Sequence, residues 1–279
     1  MTAKIVYSMN GIKAFKLGRN KPLSRGPRIK LGDFLLASAA PPPPGTENWI
    51  RLGSTPIYHT MEDILGNDQY GDCTCAGAGH LLDVLRANNN KADAWRAATR
   101  DDALAFYARV TSPAFDPATG ANDNGADEQT VLNTWQKDGF FSDGTGKIEA
   151  WATVNASNIE EMKQAIWLFG NLYFGISLPD MWVNPAPSQS GFTWTVAGDP
   201  DPNNGHCFIG YGYNSNGVLI DTWGMFGTLT WAAVQKYCAA NVGELYVVLG
   251  QDWEDAVTQK SPGGVAVDQL KAYINTLFK

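Results

Sequence analysis

Cys73 ends the run Gly66-Asn67-Asp68-Gln69-Tyr70-Gly71-Asp72-Cys73, a turn-rich loop that leads straight into a helical pattern. A helix N-terminus carries unpaired backbone N–H groups and roughly half a positive charge, which favours thiolate over thiol and supplies donors for an oxyanion. A thiolate nucleophile also needs a proton acceptor, and the chain has 3 histidines. His80 stands seven residues beyond Cys73, roughly 10 Å along the same helix, too far to reach the sulfur. His59 lies ahead of the nucleophile in Pro56-Ile57-Tyr58-His59-Thr60, outside any matching pattern. His206 remains, opening the strand pattern Gly205-His206-Cys207-Phe208-Ile209-Gly210-Tyr211-Gly212-Tyr213. Alternation places Phe208, Gly210 and Gly212 on its face and Ile209, Tyr211 and Tyr213 on the other.

The elements that must position these residues are readable from spacing. Ala78, Leu81, Leu82 and Leu85 share one face of a helix from Cys73 to about Ala87. On that helix, at about 100° per residue, Cys75 lies some 60° from the centre of the apolar face and Cys73 about 140° from it on the other side. Cys73 therefore faces a cleft and Cys75 the core, with Cys75 kept as the alternative nucleophile. Further helices are expected over Lys91–Val110, Glu128–Lys137 and Ile159–Phe169, with a long loop over Thr111–Asp127. Strands are expected near 171–178, 206–213, 217–223 and 244–249, a proline-rich loop over 179–205, and a terminal helix from about Val265. Gly217-Val218-Leu219-Ile220-Asp221-Thr222-Trp223-Gly224 reads as the hairpin partner of the histidine strand. Helices first and strands later point to an α+β fold with a helical lobe, about 66–158, and a sheet lobe, about 159–279.

Cysteine first, histidine later and a polar residue shortly after is the chain order of papain-like cysteine peptidases, which this sequence resembles across residues 66–224. The resemblance implies a two-lobed α+β fold and a triad in which Cys73 attacks, His206 shuttles the proton and Asp221 orients the imidazole. Thr222-Trp223-Gly224 stands where the family has Ser-Trp-Gly, its indole able to shield the histidine, and Asp221 stands where the family usually has Asn. An amide six residues before the nucleophile completes the family's oxyanion hole; Asn67 has that spacing to Cys73, and Gln69 has it to Cys75. The Gly-Asn-Asp-x-x-Gly-Asp-Cys run is similar to uncharacterised papain-like proteins of bacteria and their phages. The implied function is hydrolysis of a peptide or amide bond without a cofactor. The alternative is an assembly protein, for example a phage virion component, that retains the fold without the chemistry.

Composition bounds these readings. With 279 residues, 44% hydrophobic and 18% charged, the chain can bury one large core or two lobes sharing a cleft. No apolar run approaches the ~20 residues of a bilayer span, and the N-terminus lacks a secretory pattern, so a cytoplasmic location, or a virion for a phage protein, is expected. Four cysteines do not suggest a disulfide scaffold, and Cys73-x-Cys75 with no second pair is not a metal-ligand spacing. Asn122, Asp123, Asn124 and Asp127 lack the spacing of a calcium loop. Residues 1–45 form a basic arm ending in Pro41-Pro42-Pro43-Pro44-Gly45, with eight Lys/Arg and one acid, Asp33. Out of 21 basic and 28 acidic residues this leaves 13 and 27, a body of net charge −14, which argues against nucleic acid as the main partner. The expected partners are a peptide or protein substrate and, through the arm, a neighbouring subunit. The arm is expected to lie extended on the acidic surface of its own body or of that subunit, away from the Cys73 cleft.

Overall fold

The arm opens with a hairpin, β1 (Lys4–Tyr7) and β2 (Ala14–Leu17), followed by α1 (Leu31–Ser38), the short strand β3 (Glu47–Asn48) and α2 (Ile57–Met61). The computed structural model describes residues 4–9, 11–21, 29–38, 42–50, 57–88, 96–239, 242–253 and 260–262. The start of the expected second helix (91–95), the terminal helix expected from 265, and Pro41 of the proline spacer lie outside these.

Next comes α3 (Cys73–Ala87), with the bounds that the apolar spacing predicts. All its residues except Arg86 are buried, because it packs on α4 (Arg100–Val110) and α5 (Glu128–Asp138) on one side and on the sheet on the other. α4 begins later than expected because Thr99 and Asp102 form a reciprocal capping box that fixes its first turn. α5 is capped by Asp127, whose side chain accepts from Thr130 N.

The sheet lobe contains β4 (Ile148–Thr153), α6 (Ile159–Phe169), β5 (Leu172–Pro179), α7 (Asp180–Val183), β6 (Phe192–Trp194), β7 (Pro200–Tyr213), β8 (Gly217–Thr222), β9 (Met225–Thr230), α8 (Trp231–Tyr237) and β10 (Glu244–Gly250). α6 matches its expected bounds: Asn158 caps it, and Gly170, with φ of 78°, ends it in the left-handed conformation that glycine adopts cheaply. The strand order is β4-β10-β5-β7-β8-β9-β6, with β3 paired to β7; every pairing is antiparallel except β6 with β9. The expected loop over 179–205 is a correction. It carries α7, β6 and the first part of β7; Pro179 ends β5 and Pro200 opens β7, positions where a missing N–H costs little. Among the described residues no helix is long and apolar enough to cross a membrane.

Candidate active site

Cys73 is the first residue of α3 and is 1% exposed. Two backbone N–H groups point at its sulfur, that of Gly18 in the arm and that of Cys207, the residue after His206. Burial nevertheless pushes the thiol up to about 12, since removing a thiolate from water costs more than a helix end and two donors return. Cys75 is fully buried, with Thr74 and Arg109 among its electrostatic neighbours, and burial drives its thiol well above the ordinary value.

His206 lies on β7 with its ring stacked on Trp223 at 4.4 Å. Its Nε2 is 2.8 Å from Thr222 Oγ1, and its Nδ1 has no hydrogen-bond partner among the described residues. Burial without a carboxylate holds the imidazole down to about 3, so in this state it is neutral. Trp223 (φ 54°) and Gly224 (φ 67°) form the tight turn between β8 and β9, whose last pair is Thr222 with Met225. The left-handed backbone at Trp223 costs on the order of 1 kcal/mol and lays the indole over the imidazole.

The expected Asp221–His206 hydrogen bond is not made, and the cause is a single residue. At the hairpin end Tyr213 pairs with Val218 and Gly212 with Leu219; a register shift between Gly210 and Gly212 then pairs Gly210 with Ile220 and Ile209 with Asp221. Without that bulge at Tyr211, Asp221 would stand opposite Gly210, on the face of His206. With it, every β8 residue beyond moves to the other face. Thr222 thereby meets His206, and Asp221 turns to α3.

On that opposite face Asp221 Oδ2 is 2.8 Å from His80 Nδ1, while His80 Nε2 donates to the Asp63 carbonyl at 2.9 Å. Two acceptors, one at each ring nitrogen, require both to carry protons. Burial pulls His80 down, but Asp221 outweighs it and the net shift is upward, leaving a buried imidazolium. Sequence reasoning excluded His80 as a base on distance and missed this structural role. An i+7 histidine on the helix and an acid on the neighbouring strand were the available signal.

The two amide candidates separate clearly. Gln69 is exposed. Asn67 is buried, and its Nδ2 donates to the Lys16 carbonyl at 2.8 Å and to the Tyr70 carbonyl at 3.0 Å, while its own carbonyl accepts from Lys16 N at 2.8 Å. The amide with oxyanion spacing thus holds a carbonyl of the arm.

The arm's course is the second correction. It lies over Cys73 rather than away from it. Gly18 donates to the thiol, its carbonyl accepts from Ala126 N, Arg19 N donates to the Gly205 carbonyl, and Asn20 N donates to the Ala126 carbonyl. Phe15, fully buried, stacks on Trp223 at 4.7 Å. A Cβ on Gly18 would lie 1.9 Å from the Gly71 carbonyl oxygen, so this close approach admits only glycine. Charge complementarity does operate: Lys16 pairs with Asp123, and Arg19 with Glu128 and Glu244, of which Glu128 also acts on the Cys73 thiol. Burial of Phe15 and Leu17 adds about 2 kcal/mol each. The arm presents an N–H to the thiol, while the carbonyls of Lys16 and Gly18 are held by Asn67 and Ala126.

No family model and no curated protein matches the sequence. Solved structures do match. Xylellain, a cysteine protease from Xylella fastidiosa, superposes with a TM-score of 0.58 at 13% identity, over 85% of this chain and 97% of that one. Digestive procathepsin L 3 of Tenebrio molitor larval midgut gives 0.55 at 11% identity over 83% and 75% of the two chains. Procathepsin L2 from the same tissue gives 0.52 at 11% identity over 86% and 85%. At such identities the likeness is one of fold, and the α+β fold of this chain is papain-like.

Proposed function

We propose that this protein is a cysteine-dependent hydrolase of peptide or amide bonds, drawn here in a form closed by its own N-terminal arm. The observation that carries the reading is a thiol at the start of α3 that receives the N–H of Cys207, the residue after a buried histidine whose Nε2 is held by Thr222. The matching solved structures, a cysteine protease and two procathepsins, are consistent with it.

In the open form, Cys73 passes its proton to His206 Nδ1 and the thiolate attacks the substrate carbonyl carbon. The oxyanion is received by Asn67 Nδ2, vacated by Lys16, and by the N–H of Cys73 at the start of α3. The imidazolium then protonates the leaving amine, and a water deprotonated by His206 hydrolyses the thioester. Thr222 Oγ1 keeps Nε2 in one orientation throughout. Asp221 acts at a distance, by fixing His80 and with it the seating of α3 against β8. The closed form is inert for a physical reason: buried together, Cys73 and His206 sit at about 12 and about 3, the wrong order for proton transfer.

The test is labelling of the full chain with iodoacetamide at neutral pH, compared with Gly18→Ala, whose added Cβ displaces the arm. Rapid modification of Cys73 in the variant only, with peptide hydrolysis that Cys73→Ala abolishes, is the expected result. A variant whose Cys73 remains as slow as Cys75 overturns the reading.

A further inference from the structure

The polar run Asn122-Asp123-Asn124, which lacks the spacing of a calcium loop, reaches the nucleophile instead. Asp123 Oδ1 accepts from Gly71 N and from Tyr107 Oη, both at 2.9 Å, and Tyr107 Oη in turn accepts from Gly125 N at 2.7 Å. Asp123 Oδ2 pairs with Lys16 of the arm, and the acid side chain is only 8% exposed. The segment that carries it is itself pinned. Asn122, left-handed at φ 62°, donates from Nδ2 to the Ala114 carbonyl at 2.9 Å, and Asp116 N donates to the Ala121 carbonyl at 2.9 Å. One carboxylate thus joins the loop entering α3, the fully buried Tyr107 of α4, and the arm.

The start of α3 depends on such an outside anchor. Asp72 holds the N-cap position but makes no side-chain capping hydrogen bond, so the turn before Cys73 is not fixed by its own cap. In the closed form the arm helps: Asn67 is bonded twice to Lys16, and the Gly71 carbonyl lies against Gly18. Those contacts go when the arm leaves. The bonds to Asp123 Oδ1 stay, because Gly71, Tyr107 and Gly125 all belong to the body. Resting on the hydrolase reading above, we infer that Asp123 is a positioning residue for the nucleophile: through the Gly71 N–H it fixes the chain two residues before Cys73, and with it the aim of the thiol and of the Cys73 N–H in the open form. A charge-assisted bond to a backbone N–H is stronger than a neutral one, and a nucleophile misplaced by about 1 Å loses about 10² in rate. The two oxygens divide the work: Oδ1 serves the nucleophile loop in both forms, and Oδ2 holds Lys16 in the closed form only.

The experiment uses the full chain with the arm displaced by Gly18→Ala as parent, and reads peptide hydrolysis, alkylation of Cys73 by iodoacetamide at pH 7, and melting temperature. Asp123→Ala should lower kcat about 30-fold or more with KM within about threefold, and slow alkylation about fivefold or more, because the thiol is no longer set on the start of α3. Asp123→Asn keeps an acceptor oxygen for Gly71 and Tyr107 and should restore both rates to within about threefold of the parent. A merely structural residue gives another pattern: melting temperature falls while kcat and alkylation stay at the parent's values, and that result overturns the proposal. So does an asparagine variant as impaired as alanine. Should Asp123→Ala not fold, Tyr107→Phe, which removes the hydroxyl that aims Oδ1, should lower both rates about threefold or more, and parental rates would overturn the proposal. Alkylation needs no catalysis, so the two readings can fail separately. A parent that alkylates rapidly without hydrolysis sinks the hydrolase reading and leaves Asp123 to be judged on alkylation; a parent whose Cys73 stays unreactive sinks both.

Discussion

Two histidines lie on either side of the same hairpin strand, one bonded to Asp221 and the other to the adjacent Thr222. His80 has an acceptor at each nitrogen, one of them a carboxylate, and is held as a cation despite complete burial. His206 has a hydroxyl, an indole face and one free nitrogen, and burial keeps it neutral. The difference teaches that the role of a buried imidazole is set by what its partners can accept. A ring locked between two acceptors is a structural cation; a ring held by a hydroxyl at one end can take a proton at the other. The bulge at Tyr211 assigns the two partners.

The sharpest way to break this comparison is to remove each ring in turn. In the arm-displaced Gly18→Ala background, His206→Ala should lower kcat/KM for peptide hydrolysis by about 10³ or more with a minor change in urea midpoint. His80→Ala should do the reverse, leaving Asp221 as a buried charge without its partner at a cost of about 3–5 kcal/mol in urea unfolding. A His80 variant that is stable but inactive would reassign the roles.

Substitution of the acid refines the same point. Asp221→Asn should cost about 3 kcal/mol of stability, because the buried His80 cation loses its counter-ion, while hydrolysis changes by only a few-fold. A loss of about 10³ in kcat at unchanged stability would restore Asp221 to direct service of His206.

Acid should distinguish the two rings as well. His206 has its folded value depressed to about 3 from an ordinary 6.5, so the unfolded or uncovered state binds the proton first. Stability from keeping it neutral is complete above about pH 6.5 and is lost progressively down to about pH 3, a contribution on the order of 5 kcal/mol across that window. Cys73, raised to about 12 from 9, acts in the opposite sense, its contribution being lost as pH rises beyond 9. Iodoacetamide labelling of the wild-type chain after brief exposure to pH 4 and return to pH 7 measures arm opening; it should exceed that of a sample kept at pH 7. Labelling independent of that exposure would mean that burial of His206 does not hold the arm closed.

How much of this was legible in the sequence depends on the range of the interaction. Within one element the signal was strong: the bounds of α3 and α6 follow from apolar spacing, Asn158 and Gly170. Cys73 and His206 were selected by helix-end chemistry and reach; the structure puts Cys73 at the start of α3, with the N–H of Cys207, the residue after His206, on its sulfur. Strand faces were readable only up to the bulge, since Gly210-Tyr211-Gly212 alternates as a regular strand does, and an extra residue leaves no mark in that pattern. The arm's charge foretold that it would dock, but not where. Its partners Asp123, Glu128 and Glu244 lie 107 to 225 residues away in sequence, and only the fold gathers them around the arm.

The smallest expected effect bears on the hydroxyl itself. Thr222 contributes one oxygen, 2.8 Å from His206 Nε2, and a methyl group, both buried. Thr222→Ser keeps the oxygen and removes the methyl, so kcat should stay within about threefold while stability falls by about 1 kcal/mol for the small void. Thr222→Val keeps the shape and removes the oxygen. It leaves Nε2 without a partner in a dry site, which costs about 1–3 kcal/mol and frees the ring to turn, lowering kcat by about tenfold or more. Measured in the arm-displaced background, the pair isolates the hydrogen bond from the packing. If serine and valine behave alike, orientation of His206 comes from the Trp223 stack at 4.4 Å alone, and the hydroxyl is only filling space.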